Sequence, residues 1–221
     1  MMYNGKKIYV FDWDGTIFES MEIKFQNFTN VLCEYHKNDF VSDEFSKEKV
    51  LDLYKKLSGI PRKEIYKEIM QIFKVNFSEN NYNKFSNHLS QKNKISLLTT
   101  TAYKDAIDFL DKLVCKKKIY ISSSVPQDEL SYLVKNKLPE NILNNLSGIY
   151  GSKEGFSKGK EHFQKIITDE NVFKSDIIFF GDDLMDLSLA KDANIDFILI
   201  NRDNKKTEHK FLKDFNEGIV I

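Results

Sequence analysis

Ile8-Tyr9-Val10-Phe11-Asp12-Trp13-Asp14-Gly15-Thr16 runs from an apolar stretch straight into two carboxylates, a glycine and a threonine. The run from Ile8 to Phe11 is short and β-rich, without strict polar alternation. That suits a strand covered on both faces of a parallel sheet. Residues two apart on an extended backbone point to the same side, so Asp12 and Asp14 can face one small volume. Burying charge there is costly unless a cation or hydrogen bonds compensate. The pairing therefore points to a metal ion or to acid–base work at the strand exit. The plainer reading of two such aspartates is a turn or a helix cap.

Three further apolar runs share the design. Ile119-Tyr120-Ile121 ends at Ser122, Ile177-Ile178-Phe179-Phe180 ends at Gly181-Asp182, and Phe197-Ile198-Leu199-Ile200 ends at Asn201-Arg202. Helical periodicity lies between them, over Asp105 to Val114, Pro126 to Leu138 and Lys160 to Ile167. Strands alternating with helices argue for an α/β fold with a doubly wound, mostly parallel sheet. Ligands of such sheets sit outside the carboxyl ends of the strands, which is where the polar residues gather here.

Residues 19–95 read differently. Helix-like segments dominate, notably Glu22 to Tyr35 and Pro61 to Phe73, with Pro61 suited to a first helical position. The organisation expected is an α/β core from 1–18 and 96–221, interrupted by a helical insertion over 19–95.

Composition narrows the partners. The 221 residues carry 33 Lys+Arg against 33 Asp+Glu, so no net charge recommends nucleic acid or an anionic membrane. Two distant cysteines, Cys33 and Cys115, make no disulfide framework and suit a reducing, cytoplasmic compartment. No targeting segment is visible, and the apolar runs are too short to span a bilayer. A soluble monomer or weak dimer is expected.

Four polar sets occur in a telling order: Asp12-Trp13-Asp14-Gly15-Thr16, Ser122 after its strand, Lys158 in Ser157-Lys158-Gly159-Lys160, and Gly181-Asp182-Asp183-Leu184-Met185-Asp186. Together they resemble the four motifs of the haloacid dehalogenase-like (HAD) hydrolases. The resemblance implies a Rossmann-like core with an inserted helical cap domain. It also implies a Mg²⁺-dependent phosphatase, in the phosphoglycolate phosphatase and β-phosphoglucomutase branch, acting on a small phosphorylated metabolite.

By that resemblance Asp12 is the nucleophile that becomes an aspartyl-phosphate, and Asp14 is the general acid and base. Asp12, the backbone carbonyl of Asp14 and Asp182 hold Mg²⁺, with Asp186 bound directly or through water and Asp183 as an alternative. Gly15, Thr16, Ser122, Ser123 and Lys158 address the phosphate, with Lys160 as the alternative lysine. Ser122 capping the next helix is the plainer option. Arg62, in Ser58-Gly59-Ile60-Pro61-Arg62, resembles a cap residue that meets the substrate, and an exposed arginine in a first helical turn is an equal alternative. A phosphomutase also keeps both aspartates. A non-catalytic binding protein on the same scaffold is the alternative from another class.

Thr16 is expected to orient the loop through its hydroxyl or to serve as a plain β-turn residue, and Gly15 to supply a φ that other residues resist or to let backbone approach phosphate. Trp13 should point away from the two aspartates, into the core or against the cap. None of His36, His88, His162 and His209 stands in a metal-ligand pattern with another. His162 is expected on a helix with a partly exposed side chain, and no histidine is given a catalytic role.

Overall fold

The computed structural model describes residues 5–37 and 46–202; His209 lies outside them. The chain divides into two units, one of Met1–Glu19 with Thr100–Ile221 and one of Ser20–Thr99. Strand β1 (Ile8–Phe11) opens the first unit. The second unit follows, with helices α1 (Met21–Tyr35), α2 (Lys47–Lys56), α3 (Arg62–Ile72) and α4 (Glu79–Ser96). The chain then returns to the first unit through α5 (Lys104–Leu113), β2 (Lys118–Pro126), α6 (Gln127–Lys137), α7 (Glu140–Leu143) and β3 (Leu146–Ser152). It continues through α8 (Lys160–Glu170), β4 (Ile177–Gly181), α9 (Leu184–Ala193) and β5 (Asp196–Leu199).

The strands form one sheet in the order β3-β2-β1-β4-β5, and every pairing is parallel. The α/β, doubly wound architecture expected from the apolar runs is the one found. All four β1 residues are buried, as a central strand covered on both faces requires. Ile8 and Val10 share a core with Phe163 and Ile166 of α8 and Ala190 and Ala193 of α9. On the other face Phe11 stacks on Phe180 at 4.6 Å and meets Phe109 of α5 edge-on.

Strand β3 escaped the reading of the sequence. Gly148 and Gly151 dilute its β signal, and as an edge strand it is only half-buried. Pro61 sits at the N-cap of α3, one residue before the first helical position expected for it.

The helical unit has its own core. Phe28, Val31 and Leu32 of α1 pack with Val50, Ile65, Tyr66, Ile69, Met70, Phe85 and Leu89. Two buried polar pairs are set among them: Asn27 Nδ2 donates to Asn93 Oδ1 at 2.9 Å, and His36 Nε2 lies 2.7 Å from Tyr66 Oη. Among the described residues no helix is long and apolar enough to cross a membrane.

Candidate active site

Register alone brings two polar residues and a glycine into a row. Phe11 pairs with Ile121 on one side and with Phe180 on the other. One step further, Asp12, Ser122 and Gly181 therefore lie side by side at the carboxyl edge, on adjacent strands about 4.8 Å apart. The Asp12 N–H donates to the Phe180 carbonyl at 2.8 Å, which carries the β1–β4 ladder up to the site.

Asp182 follows β4 directly. Asp183 caps α9, its Oδ1 accepting from the N–H groups of Met185 (2.6 Å) and Asp186 (3.1 Å). That cap places Asp186 in the first helical turn. Oxygens of Asp12, Asp182 and Asp186 come within 4.8 Å of one another. Asp183 is thus engaged with its own helix, and the side chain of Asp14 lies outside the three-carboxylate group.

Lysine enters from the loop that leads into α8. Lys158 Nζ stands 2.8 Å from Asp12 Oδ1 and 2.5 Å from Asp186 Oδ1, and the side chain is buried. Gly159 makes this approach possible. Its φ of +100° is strained for other residues, and a Cβ there would press against Leu189 Cδ2 of α9 at 2.7 Å. Lys160, two residues on, is exposed. The geometry separates the two lysines that the sequence left open.

The Asp12 loop is closed by its own backbone, since the N–H groups of Ile17 and Phe18 both donate to the Trp13 carbonyl. Trp13 is fully buried and stacks on Phe18 at 5.0 Å. Gly15 has φ +73°, and a side chain there would collide with the Asp182 carboxylate. Thr16 Oγ1 donates to Asp182 Oδ1 at 3.2 Å, so this hydroxyl links the first motif to the fourth.

Electrostatics show how demanding the site is. Burial lifts the Asp12 carboxyl well above the usual carboxylate range, Lys158 opposes the rise, and Asp186, Asp182 and Asp14 add to it. Asp182 is pushed up to about 7, by burial first and the Asp186 charge next. Burial also raises Asp186. Burial alone would lower the Lys158 ammonium, but Asp12 and Asp186 outweigh it and hold the lysine charged. Both Asp186 oxygens are buried; Oδ1 faces Lys158 Nζ, and Oδ2 has no hydrogen-bond partner. Three crowded carboxylates with unspent lone pairs are the donor set of a hard, oxygen-seeking divalent cation. The residues fit such an ion.

His162 overturns its expectation. It is fully buried, and its Nδ1 lies 2.8 Å from Ser122 Oγ, itself fully buried. It lies in the first turn of α8, two residues beyond the helix's first residue, Lys160. Its ring packs against Phe156 and Tyr150. The helical period contained this placement, but it could not say which face of α8 met the sheet. The neighbouring Ser123 is also buried, and its Oγ accepts from the Val125 N–H at 3.3 Å.

Burial holds the His162 pKa down to about 4. Because the folded value lies below the ordinary one of about 6.5, this residue's contribution is present above that value and is lost as pH falls towards 4. The raised carboxyls act in the opposite sense over the same range, so a variant is needed to isolate the histidine. His162→Asn, which keeps an amide near Nδ1, should lose about 2–3 kcal/mol less stability than wild type between pH 7.5 and 4.5 in urea denaturation. Equal losses would contradict a buried neutral imidazole.

Arg62 belongs to the helical unit. Its Nη1 donates to Ser90 Oγ at 2.7 Å and to the Ser86 carbonyl at 3.4 Å, bracing the start of α3 against α4.

Similarity to known proteins gives the family and the fold. The family model described as haloacid dehalogenase-like hydrolase matches residues 9–200. Enolase-phosphatase E1 of Anopheles gambiae is 29% identical over 100 residues, 45% of this chain and 34% of that protein. The match thus spans about a third of that relative's length. A haloacid dehalogenase-like family protein of Streptococcus pneumoniae superposes with TM-score 0.67 at 18% identity, covering 96% of this chain and 98% of the other. CbbY of Rhodobacter sphaeroides, solved with xylulose-(1,5)bisphosphate, gives TM-score 0.71 at 14% identity, covering 89% and 86%. At these identities the two structures speak for the fold.

Proposed function

Because the chain belongs to the haloacid dehalogenase-like hydrolases, we propose that it is a divalent-metal-dependent phosphatase of small phosphorylated metabolites, working through a phosphoenzyme on Asp12. One observation carries this reading. A buried carboxylate at the end of the central strand faces a buried lysine at 2.8 Å, within a group of three converging carboxylates.

A phosphate monoester resists attack because its negative oxygens repel nucleophiles. Asp12, Asp182 and Asp186, with the carbonyl of Asp14, would hold Mg²⁺, which supplies positive charge to both nucleophile and phosphoryl oxygens. Lys158 adds a fixed positive charge to the same place. An Asp12 carboxylate oxygen attacks phosphorus, the bond to the ester oxygen breaks, and Asp14 gives its proton to the departing oxygen. Water then attacks the aspartyl-phosphate, Asp14 takes a proton from it, and the bond between Asp12 and phosphorus breaks to release phosphate. Gly15, Thr16, Ser122 and Ser123 line the strand ends where the transferred group is held.

The helical unit, read as the cap, selects the substrate. A phosphorylated sugar or short acid is the class favoured, and the sugar bisphosphate bound by CbbY supports it. The test is release of inorganic phosphate from an aryl phosphate and from a panel of sugar and acid phosphates, with Mg²⁺ and with EDTA. Turnover should fall at least about 10²-fold on chelation and return with Mg²⁺. Turnover indifferent to EDTA would refute the metal-dependent reading.

A further inference from the structure

The carboxyl end of β5 delivers a residue that the four motifs do not include. Arg202 lies two residues beyond Ile200, whose N–H donates to the Gly181 carbonyl at 2.7 Å. From there its guanidinium crosses to the Asp12 loop. Nε donates to the Gly15 carbonyl at 3.2 Å and Nη2 to the Thr16 carbonyl at 2.6 Å. Nη1 donates to both oxygens of Asp105 in α5, at 3.0 and 2.8 Å. The Tyr103 ring lies 3.9 Å under the guanidinium carbon, and the Arg202 side chain is only 16% exposed.

We propose that Arg202 is a positioning residue for the catalytic loop, clamping the Gly15 and Thr16 carbonyls against Asp105 so that Asp182 and the Asp12–Asp14 turn keep their mutual geometry. This rests on the phosphatase reading for its kinetic consequence and on the loop geometry for its structural one. The reach to the site is short. The residue whose carbonyl takes Nη2 is Thr16, and the hydroxyl of Thr16 holds Asp182. The residue whose carbonyl takes Nε is Gly15, which passes so close to Asp182 that a Cβ would not fit. A loop that drifts by a fraction of an ångström therefore shifts one of the three clustered carboxylates relative to the other two. Four bonds, to two carbonyls and to both oxygens of a carboxylate, suit a planar fork of five donors and exceed the three of an ammonium. Asp105 and Tyr103, one on each side of the α5 start, anchor that fork from outside the loop.

The experiment compares Arg202→Ala, Arg202→Lys and Asp105→Asn with wild type at a temperature well below each variant's Tm. Binding of Mn²⁺, used as a spectroscopic probe, is followed by electron paramagnetic resonance without substrate. Turnover of an aryl phosphate is measured in parallel. Arg202→Ala should weaken Mn²⁺ binding about 10-fold and lower kcat about 10- to 100-fold, with KM within about threefold. Arg202→Lys should recover little of either, because a point charge cannot replace the fork. Asp105→Asn, which keeps the arginine and loosens its anchor, should fall between. Should Arg202→Ala fail to fold, the comparison of Arg202→Lys with Asp105→Asn reads the same clamp. A lowered Tm with wild-type Mn²⁺ affinity and kcat would overturn the proposal and leave a purely structural arginine. The Mn²⁺ measurement needs no turnover, so it separates failure of the clamp from failure of the phosphatase reading.

Discussion

Asp12→Asn should be folded and inactive. Turnover of any phosphate ester should drop at least about 10³-fold, because an amide oxygen neither forms the acyl phosphate at a useful rate nor leaves from it. The fold should not suffer. Asp12 is one of three crowded, buried carboxylates, and burial has already lifted its pKa well above the usual range. Neutralising it removes repulsion with Asp186 and Asp182, while Lys158 keeps Asp186 at 2.5 Å. Without metal the variant should therefore unfold at the same temperature as wild type or slightly higher, an instance of strain at an active site held for function. Calorimetry and phosphate release on one preparation check both halves. Activity within tenfold of wild type would remove Asp12 from the nucleophile's role.

Lys158→Met should do the reverse, losing activity and stability together. The ammonium neutralises two buried carboxylates, and removing one partner of a buried ion pair costs about 3–5 kcal/mol. On the proposed mechanism its charge also serves the transferred phosphoryl group, so kcat should fall about 10²- to 10³-fold. The stability loss should depend on pH. Without the lysine, the folded-state pKa values of Asp12 and Asp186 rise further above their unfolded values. The folded variant then binds more protons than the unfolded chain, and its stability falls as pH rises through the range between those values. Metal-free Lys158→Met should thus be more destabilised relative to wild type at pH 8 than at pH 5, and Mg²⁺ should restore part of the difference. A pH-independent loss, measured by denaturant titration, would mean that the lysine is not what balances the two carboxylates. The same substitution at exposed Lys160 should leave both properties near wild type.

The two lysines show what a chain read one residue at a time can and cannot settle. Both precede or open α8, and both are surrounded in sequence by further lysines. Which one turns inward depends on the φ of +100° at Gly159 and on the close passage of α8 over Leu189. Neither fact belongs to the local sequence. His162 is a similar case. Its helix was legible from periodicity, but its burial against Ser122 depends on how that helix is rotated over β2. The clamp by Arg202 joins residues nearly two hundred positions apart, and nothing near Arg202 in sequence marks it beyond its place after a strand.

The amino-acid sequence by itself determined the parallel α/β core and the acidic strand ends. Buried strands must be apolar, and they must stop at polar residues where ligands bind, and both features are local patterns of a few residues. The tertiary structure alone decided which cation meets Asp12, which serine has a histidine behind it and what holds the Gly15–Thr16 turn in place. Those contacts join side chains from separate elements, and their pairing follows from strand register and helix rotation once the core has closed.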